Sequence, residues 1–173
     1  LDREIIDACK KTNRHPKFTK DFPAGISYYQ IEELNQAIYG ADFIISGVSS
    51  FGVDWFGDEI LPRIPSHIPV LTVTKGLVDT ADGKLLTYPD IWQAKLDKLG
   101  KTLSLNAIGG PCTSYELVAH DQTHVTFCGK DMDVLRMIKA AMAADYYHIS
   151  LSNDVVGIES AVALKNGYAL GIA

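Results

Sequence analysis

Val70-Leu71-Thr72-Val73-Thr74-Lys75-Gly76 is the stretch on which the fold turns. An apolar, β-branched run ends abruptly in a cation and a glycine. Both faces are apolar and nothing alternates, which predicts a buried strand of a parallel sheet. In open α/β sheets ligands collect outside the carboxyl ends of the strands, so Lys75 stands where such a sheet presents chemistry. Gly76 lets the backbone turn sharply beside it. A lysine that merely opens a solvated loop would carry the same local pattern.

Working outward, apolar runs and helical patterns alternate with few breaks. Strands are predicted at residues 26–29, 42–48, 102–108, 124–128 and 147–151, besides the one that ends at Lys75. Helical patterns occupy residues 4–11, 31–39, 91–99, 114–119 and 132–143, and residues 52–61 are helical or irregular. Gly40 and Gly100 follow two of the helices as stop signals. Asp79-Thr80-Ala81-Asp82-Gly83 reads as a turn, and Trp55-Phe56 and Tyr146-Tyr147 read as packing. A last helix opens at Ser152-Asn153-Asp154, with Asn153 as its expected cap. The alternation implies an α/β fold of parallel β-α-β units with right-handed crossovers.

Three predicted strands finish alike, in Gly47-Val48-Ser49-Ser50, Thr74-Lys75-Gly76 and Gly109-Gly110-Pro111-Cys112. Backbone N–H groups and one cation at three neighbouring strand ends would build a crevice for phosphate or another oxyanion. The last helix adds a second cation. At 100° per residue, Val155, Ile158, Val162, Lys165 and Ala169 share one stripe, and Asn166 sits at its edge. Lys165 there either snorkels past its apolar stem or is a lysine whose lowered pKa suits proton exchange.

Composition narrows the class. The chain of 173 residues suits one well-buried domain, with 47% apolar and 21% charged residues. No apolar run approaches the roughly 18 residues that cross a bilayer, and no secretory signal opens the chain. A formal charge of −5 argues against a nucleic-acid backbone as partner, while leaving an anionic small molecule open. Cys9, Cys112 and Cys128 are an odd set without close pairing, which suits free thiols in a reducing compartment. His120 and His124, flanked by Cys112 and Cys128, match no standard zinc spacing, and no metal is expected. The chain opens on Leu1 at the start of a helix and closes inside a helical pattern, which reads as a piece of a larger protein.

Taken in order, Thr74-Lys75-Gly76, Gly110-Pro111 with Glu116-Leu117, Val156-Gly157-Ile158-Glu159 and Ala163-Leu164-Lys165-Asn166 resemble the NAD(P)-dependent glycerol-3-phosphate dehydrogenases. Residues 13–16 with Phe18, and Phe22-Pro23, resemble that family's loop after its second strand. Gly47-Val48-Ser49-Ser50 resembles a strand ending in which proline commonly stands at Ser49. The resemblance runs along essentially all of the chain.

It implies a Rossmann-like, mostly parallel sheet with flanking helices, followed by the beginning of an all-helical C-terminal domain. Residues 1–151 would be an incomplete dinucleotide-binding domain and residues 152–173 the first helix of the truncated helical one. It further implies hydride transfer between glycerol 3-phosphate and dihydroxyacetone phosphate with NAD or NADP, in the cytoplasm, with homodimerisation left open. By the same resemblance Lys165 is the general base, and Lys75 contacts both substrate and cofactor. Gly110, Cys112 and Asn166 are substrate contacts, and Ser114 and Phe18 cofactor contacts, with Phe22 the rival of Phe18. Cys112 replaces the family's usual serine or threonine, and Ala161-Val162 stand where two glycines are common. The glycine-rich pyrophosphate loop would precede Leu1, and the helical domain's aspartate and Arg-Asn phosphate ligands would follow Ala173, so the segment by itself is expected to be inactive. Two other readings are a related dehydrogenase acting on another hydroxy acid or sugar phosphate, and a non-catalytic module that binds a nucleotide or a protein partner.

Overall fold

The computed structural model describes residues 2–172, and the side chains of Asn166 and Ala169 lie outside that description. The chain divides into two units, Leu1–Ala41 and Asp42–Ala173. In the first, helix α1 (Arg3–Thr12) opens on Asp2, whose carboxylate accepts the Ile5 N–H, and closes on Asn13 in the left-handed conformation. Asn13 then organises the following loop. Its amide donates to the Phe22 carbonyl at 2.6 Å, and its Oδ1 accepts from the Tyr28 hydroxyl at 2.6 Å. The helix predicted over 31–39 is split into a 3₁₀ turn, Ile31–Glu33, and helix α2 (Leu34–Ile38). Lys10 pairs with Glu33 at 2.6 Å, and Arg3 with Glu32. The strand predicted at 26–29 does not form. Extended backbone becomes a strand only beside a ladder partner, and among the described residues this segment has none.

In the second unit the strands are β1 (Ile44–Ser46), β2 (Val70–Thr72), β3 (Leu77–Asp79), β4 (Leu85–Thr87), β5 (Leu105–Gly109), β6 (Thr123–Gly129) and β7 (Tyr147–Ser152). The main sheet has the order β1-β2-β5-β6-β7, while β3 and β4 make a separate hairpin. β2 is the centre of the parallel part and is buried throughout, as its two apolar faces require. The turn predicted at 79–83 holds, closed by Gly83 N–H donating to the Thr80 carbonyl at 2.8 Å, and the hairpin strands around it are an addition to the expected elements.

One pairing is the exception in the mostly parallel sheet. β6 runs antiparallel to β5, with Gly109 opposite Thr126 and Asn106 opposite Gly129, and β7 then runs parallel to β6. Residues 110–122, which include helix α5 (Ser114–Ala119), connect β5 to β6 and bring the chain back in the opposite direction.

The helices are α3 (Val53–Trp55), α4 (Tyr88–Lys98), α5 (Ser114–Ala119), α6 (Met132–Met142) and α7 (Val155–Ile172). The segment read as helical or irregular passes from a 3₁₀ turn through α3 into a π-helical turn at Phe56–Ile60. α4 starts three residues before its predicted start because Thr87 and Asp90 form a capping box and Pro89 sits in the first turn. Leu71, Ile108, Val125, Phe127 and Ile149 of the sheet pack with Leu135 and Ile138 of α6. Trp92 of α4 is buried beside Phe56, ring centroids 4.9 Å apart, and its indole N–H donates to the Val53 carbonyl at 2.9 Å. Tyr146 stacks on His120 at 4.2 Å, and His124 pairs with Ser150 at 2.8 Å. Among the described residues no helix is long and apolar enough to cross a membrane.

Because β7 runs against β5, the chain leaves the sheet at the rim opposite the carboxyl ends of β1, β2 and β5. Helix α7 then climbs back across the sheet and packs on β5 and β6. Its cap is Asp154, whose Oδ1 accepts the Gly157 N–H at 2.8 Å, rather than the expected Asn153. The shorter reach of a residue directly before the first turn decides the cap. Gly109 makes the crossing close, since a Cβ there would collide with Ile158 and lie 3.0 Å from Val162 Cγ2.

Gly110, next along, has φ +128°, and a Cβ would sit 3.0 Å from Val125 Cα and 3.1 Å from the His124 carbonyl. Gly110→Ala should therefore lower unfolding free energy by about 1–3 kcal/mol, read from urea denaturation. An unchanged midpoint would mean that the turn relaxes freely.

Candidate functional site

Lys75 is held by the residue before it. Thr74 is buried, and its hydroxyl donates to the Val48 carbonyl at 2.5 Å while its N–H donates to Thr72 Oγ1 at 3.1 Å. These bonds tie the end of β2 to the end of β1 and aim the next side chain along the rim. The Lys75 ammonium donates to the Gly110 carbonyl at 3.1 Å, which joins the second and third of the strand ends singled out in the sequence.

Two hollows meet at Lys75 and Gly110. The larger, about 540 Å³, is walled by Val73, Ile108, Leu117 and Met142, with Cys112, Thr113 and Ser114 along one side and Tyr146 and Tyr147 closing it. Thr113 caps α5 through its hydroxyl, which accepts the Glu116 N–H, leaving Ser114 exposed in the first helical turn. Burial pushes the Cys112 thiol upward, with the Lys75 charge opposing it. The smaller hollow, about 290 Å³, lies among Lys75, Gly76, Gly110, Val162, Ala163 and Lys165. Two lysines ninety residues apart thus border one cavity. Val162 occupies part of its wall, where the resemblance expected a glycine.

Helix α7 buries an acid beside its apolar stripe. Lys165 is exposed, as the snorkelling alternative has it. The ionisable residue that this helix buries is Glu159, 1% exposed, with neither carboxylate oxygen hydrogen-bonded among the described residues. Burial raises its pKa from 4.5 to about 7, against the lowering field of Lys75. Glu159 lies four residues after Val155 and three before Val162, so helical spacing alone puts it beside the packed stripe. That is the signal by which sequence reading could have found it.

A further hollow of about 580 Å³ lies at the opposite rim, near Lys130, His67, Asp90, Asp131 and Asp154. Its three aspartates are engaged in capping α4, α6 and α7, and it is remote from the glycine-rich strand ends. The chemistry therefore points to the Lys75 rim.

With this geometry in hand, comparison with known proteins is direct. The model of the NAD-dependent glycerol-3-phosphate dehydrogenase N-terminus matches residues 1–135. The chain belongs to that family. The NADP(+)-dependent glycerol-3-phosphate dehydrogenase of Archaeoglobus fulgidus is 30% identical over the whole chain, which covers 50% of that relative. The glycerol-3-phosphate dehydrogenase [NAD(P)+] of Nitrosococcus oceani is 24% identical over 98% of the chain and 47% of its own length. The chain thus spans about half the length of the curated relatives it matches. Among solved structures, Plasmodium falciparum glycerol-3-phosphate dehydrogenase superposes with a TM-score of 0.80 at 20% identity, covering 94% of this chain and 44% of that one. The Coxiella burnetii enzyme gives 0.77 at 18%, over 94% and 48%. At such identities the likeness establishes a shared fold, here the mostly parallel Rossmann-type sheet.

Of the residues singled out from the dehydrogenase resemblance, the structure gathers Lys75, Gly110, Cys112, Ser114 and Lys165 around the two adjoining hollows. The Asn166 side chain lies outside the described residues. Phe18 belongs to the first unit, half-exposed, with its ring centroid 4.8 Å from that of His15, and its rival Phe22 packs on Tyr28 at 5.8 Å. The donor set fits part of a nicotinamide dinucleotide. Apolar walls beside hydroxyls and an ammonium suit a flat ring carrying polar groups.

The Glu159 shift sets a stability profile. Below about pH 4.5 the carboxyl is protonated both folded and unfolded, and above about pH 7 it is ionised in both. Between them the folded state holds the extra proton, so stability falls as pH rises, by on the order of 3 kcal/mol in all. Urea unfolding at about pH 5 and about pH 8 should show Glu159→Gln losing less stability on going to the higher pH than the unsubstituted chain. Equal losses would remove Glu159 from the account.

Proposed function

We propose that this chain supplies the dinucleotide-binding part (residues 1–151) and the first helix of the helical part (residues 152–173) of an NAD- or NADP-dependent dehydrogenase. Its reaction interconverts sn-glycerol 3-phosphate and dihydroxyacetone phosphate. Support comes from family membership together with one observation, that Lys75 and Lys165 border a single small cavity at the carboxyl rim. In this reading Lys165 accepts the proton of the C2 hydroxyl and, in reverse, returns it to the ketone. Lys75 faces the same oxygen and its fixed charge stabilises the negative charge developing there. Gly110 and Cys112 border the substrate, Asn166 lies beside it, and the hydroxyl of Ser114 and the ring of Phe18 serve the cofactor. When bound, the nicotinamide supplies or accepts the hydride. The Cys112 thiol is a weaker donor than the hydroxyl it replaces, so orientation there rests more on shape. The three free thiols suit a reducing compartment, and we place the protein in the cytoplasm.

Two measurements test this. The protein at its full natural length should oxidise NADH or NADPH when given dihydroxyacetone phosphate, in preference to 2- and 3-oxo acids, while the 173-residue chain alone should show no turnover. Preference for an oxo acid would transfer the protein to a related dehydrogenase. In the full-length protein Lys165→Ala should lower kcat by about 10²–10⁴-fold. An unchanged kcat would eliminate the assigned base.

A further inference from the structure

Glu159 is a buried acid for which the reaction outlined above has no use. It sits on α7 one turn below Val162 and Ala163, the residues that line the small hollow opposite Lys75. Neither of its oxygens has a hydrogen-bond partner among the described residues. A carboxyl in that situation is stable only as the neutral acid or beside a positive charge.

The groups that face it are few. α7 packs on β3, β4, β5 and β6. β4 and β5 carry no titratable side chain, Asp79 at the end of β3 is exposed, and His124 on β6 is exposed and bonded to the Ser150 hydroxyl. Cys128 on β6 is buried, its thiol pushed up to about 12 by that burial and then by the Glu159 charge. Tyr88, at the start of α4, is likewise raised by burial and by Glu159. Both stay neutral near pH 7, which leaves Lys75 as the charge that Glu159 meets. Lys75 in turn is tethered to the Gly110 carbonyl, on the wall of the same hollow.

We propose that Glu159 is a proton-switched counter-charge to Lys75, a buried and unpartnered carboxyl beneath the hollow that takes up a proton when an anion engages the ammonium. This rests on the reading of Lys75 as the group that meets the oxygen anion. The balance is simple. A free Lys75 ammonium favours the Glu159 carboxylate. An arriving anion cancels that field, the carboxylate becomes the costlier form, and up to one proton is drawn from solvent as the anion binds. Anion binding is then strongest below the free-state midpoint and weakens as pH rises through it.

The test is a ¹³C NMR titration of the full-length protein labelled at the glutamate side-chain carboxyl. The resonance of Glu159 is assigned by its loss in Glu159→Gln. Its midpoint should lie well above the other glutamates, and should move further up in Lys75→Met and on adding sulfate, which neither gains nor loses a proton near pH 7. Lys75 is exposed, so the Lys75→Met variant leaves the fold intact even if Glu159→Gln fails to fold. A midpoint unchanged in Lys75→Met would mean that the two charges do not meet, and that result overturns the inference. So does a midpoint indifferent to sulfate. The second readout is kinetic. kcat/KM for dihydroxyacetone phosphate should be about tenfold lower at about pH 8 than at about pH 6 relative to Glu159→Gln, a ratio that cancels the substrate's own titration. If the protein turns over and this ratio stays flat, the inference fails while the proposed function stands. If nothing turns over, the proposed function fails and the NMR midpoints still decide the inference.

Discussion

Because Gly109 carries no side chain, α7 can lie directly against the end of β5, with Ile158 and Val162 filling the space a Cβ would take. The position of Lys165 follows from that seat. A helix advances about 1.5 Å per residue, so the ten residues from Val155 to Lys165 cover about 15 Å, roughly the length of the five-residue strand they cross. A side chain at Gly109 would push the helix, and the second lysine with it, away from the sheet. The reversal of β6 matters for the same reason. Had β6 and β7 continued parallel, β7 would have ended at the carboxyl rim, and α7 would have started there and carried its lysine away.

The distribution of charge along α7 follows solvent access. An exposed lysine costs little, whereas a buried carboxyl without a hydrogen bond costs several kcal/mol unless it holds its proton. The helix puts Lys165 at the open side and Glu159 inside. Polar side chains left unsatisfied inside folded proteins commonly mark positions retained for something other than stability.

Much of this was legible in the chain. The seven residues ending at Gly76 read as a buried parallel strand with chemistry at its end because β-branched residues with two apolar faces leave little else. The glycine-rich strand ends read as one crevice, and two of them are tied by the bond from Lys75 to Gly110. What could not be read was decided by partners far away in sequence. Whether residues 26–29 become a strand depends on a neighbour, and the direction of β6 shows only in its pairing with β5. Capping by Asp154 instead of Asn153 turned on a one-residue shift, the scale at which helix ends are least legible. Glu159 lies about 40° beyond Val155, just outside the stripe on the side away from Lys165, so the buried face of α7 is wider than that stripe.

The tether between Lys75 and the Gly110 carbonyl also sets an entry threshold. A visiting anion does not meet a bare cation; it has to displace an acceptor already in place at 3.1 Å. Exchanging one acceptor for another gains only the difference between them, which for a neutral carbonyl against a doubly charged oxygen group is large and against chloride is small. Ordinary monovalent salt would then occupy the rim poorly, and the resting lysine would remain available to the few solutes dense enough in charge to pull it away.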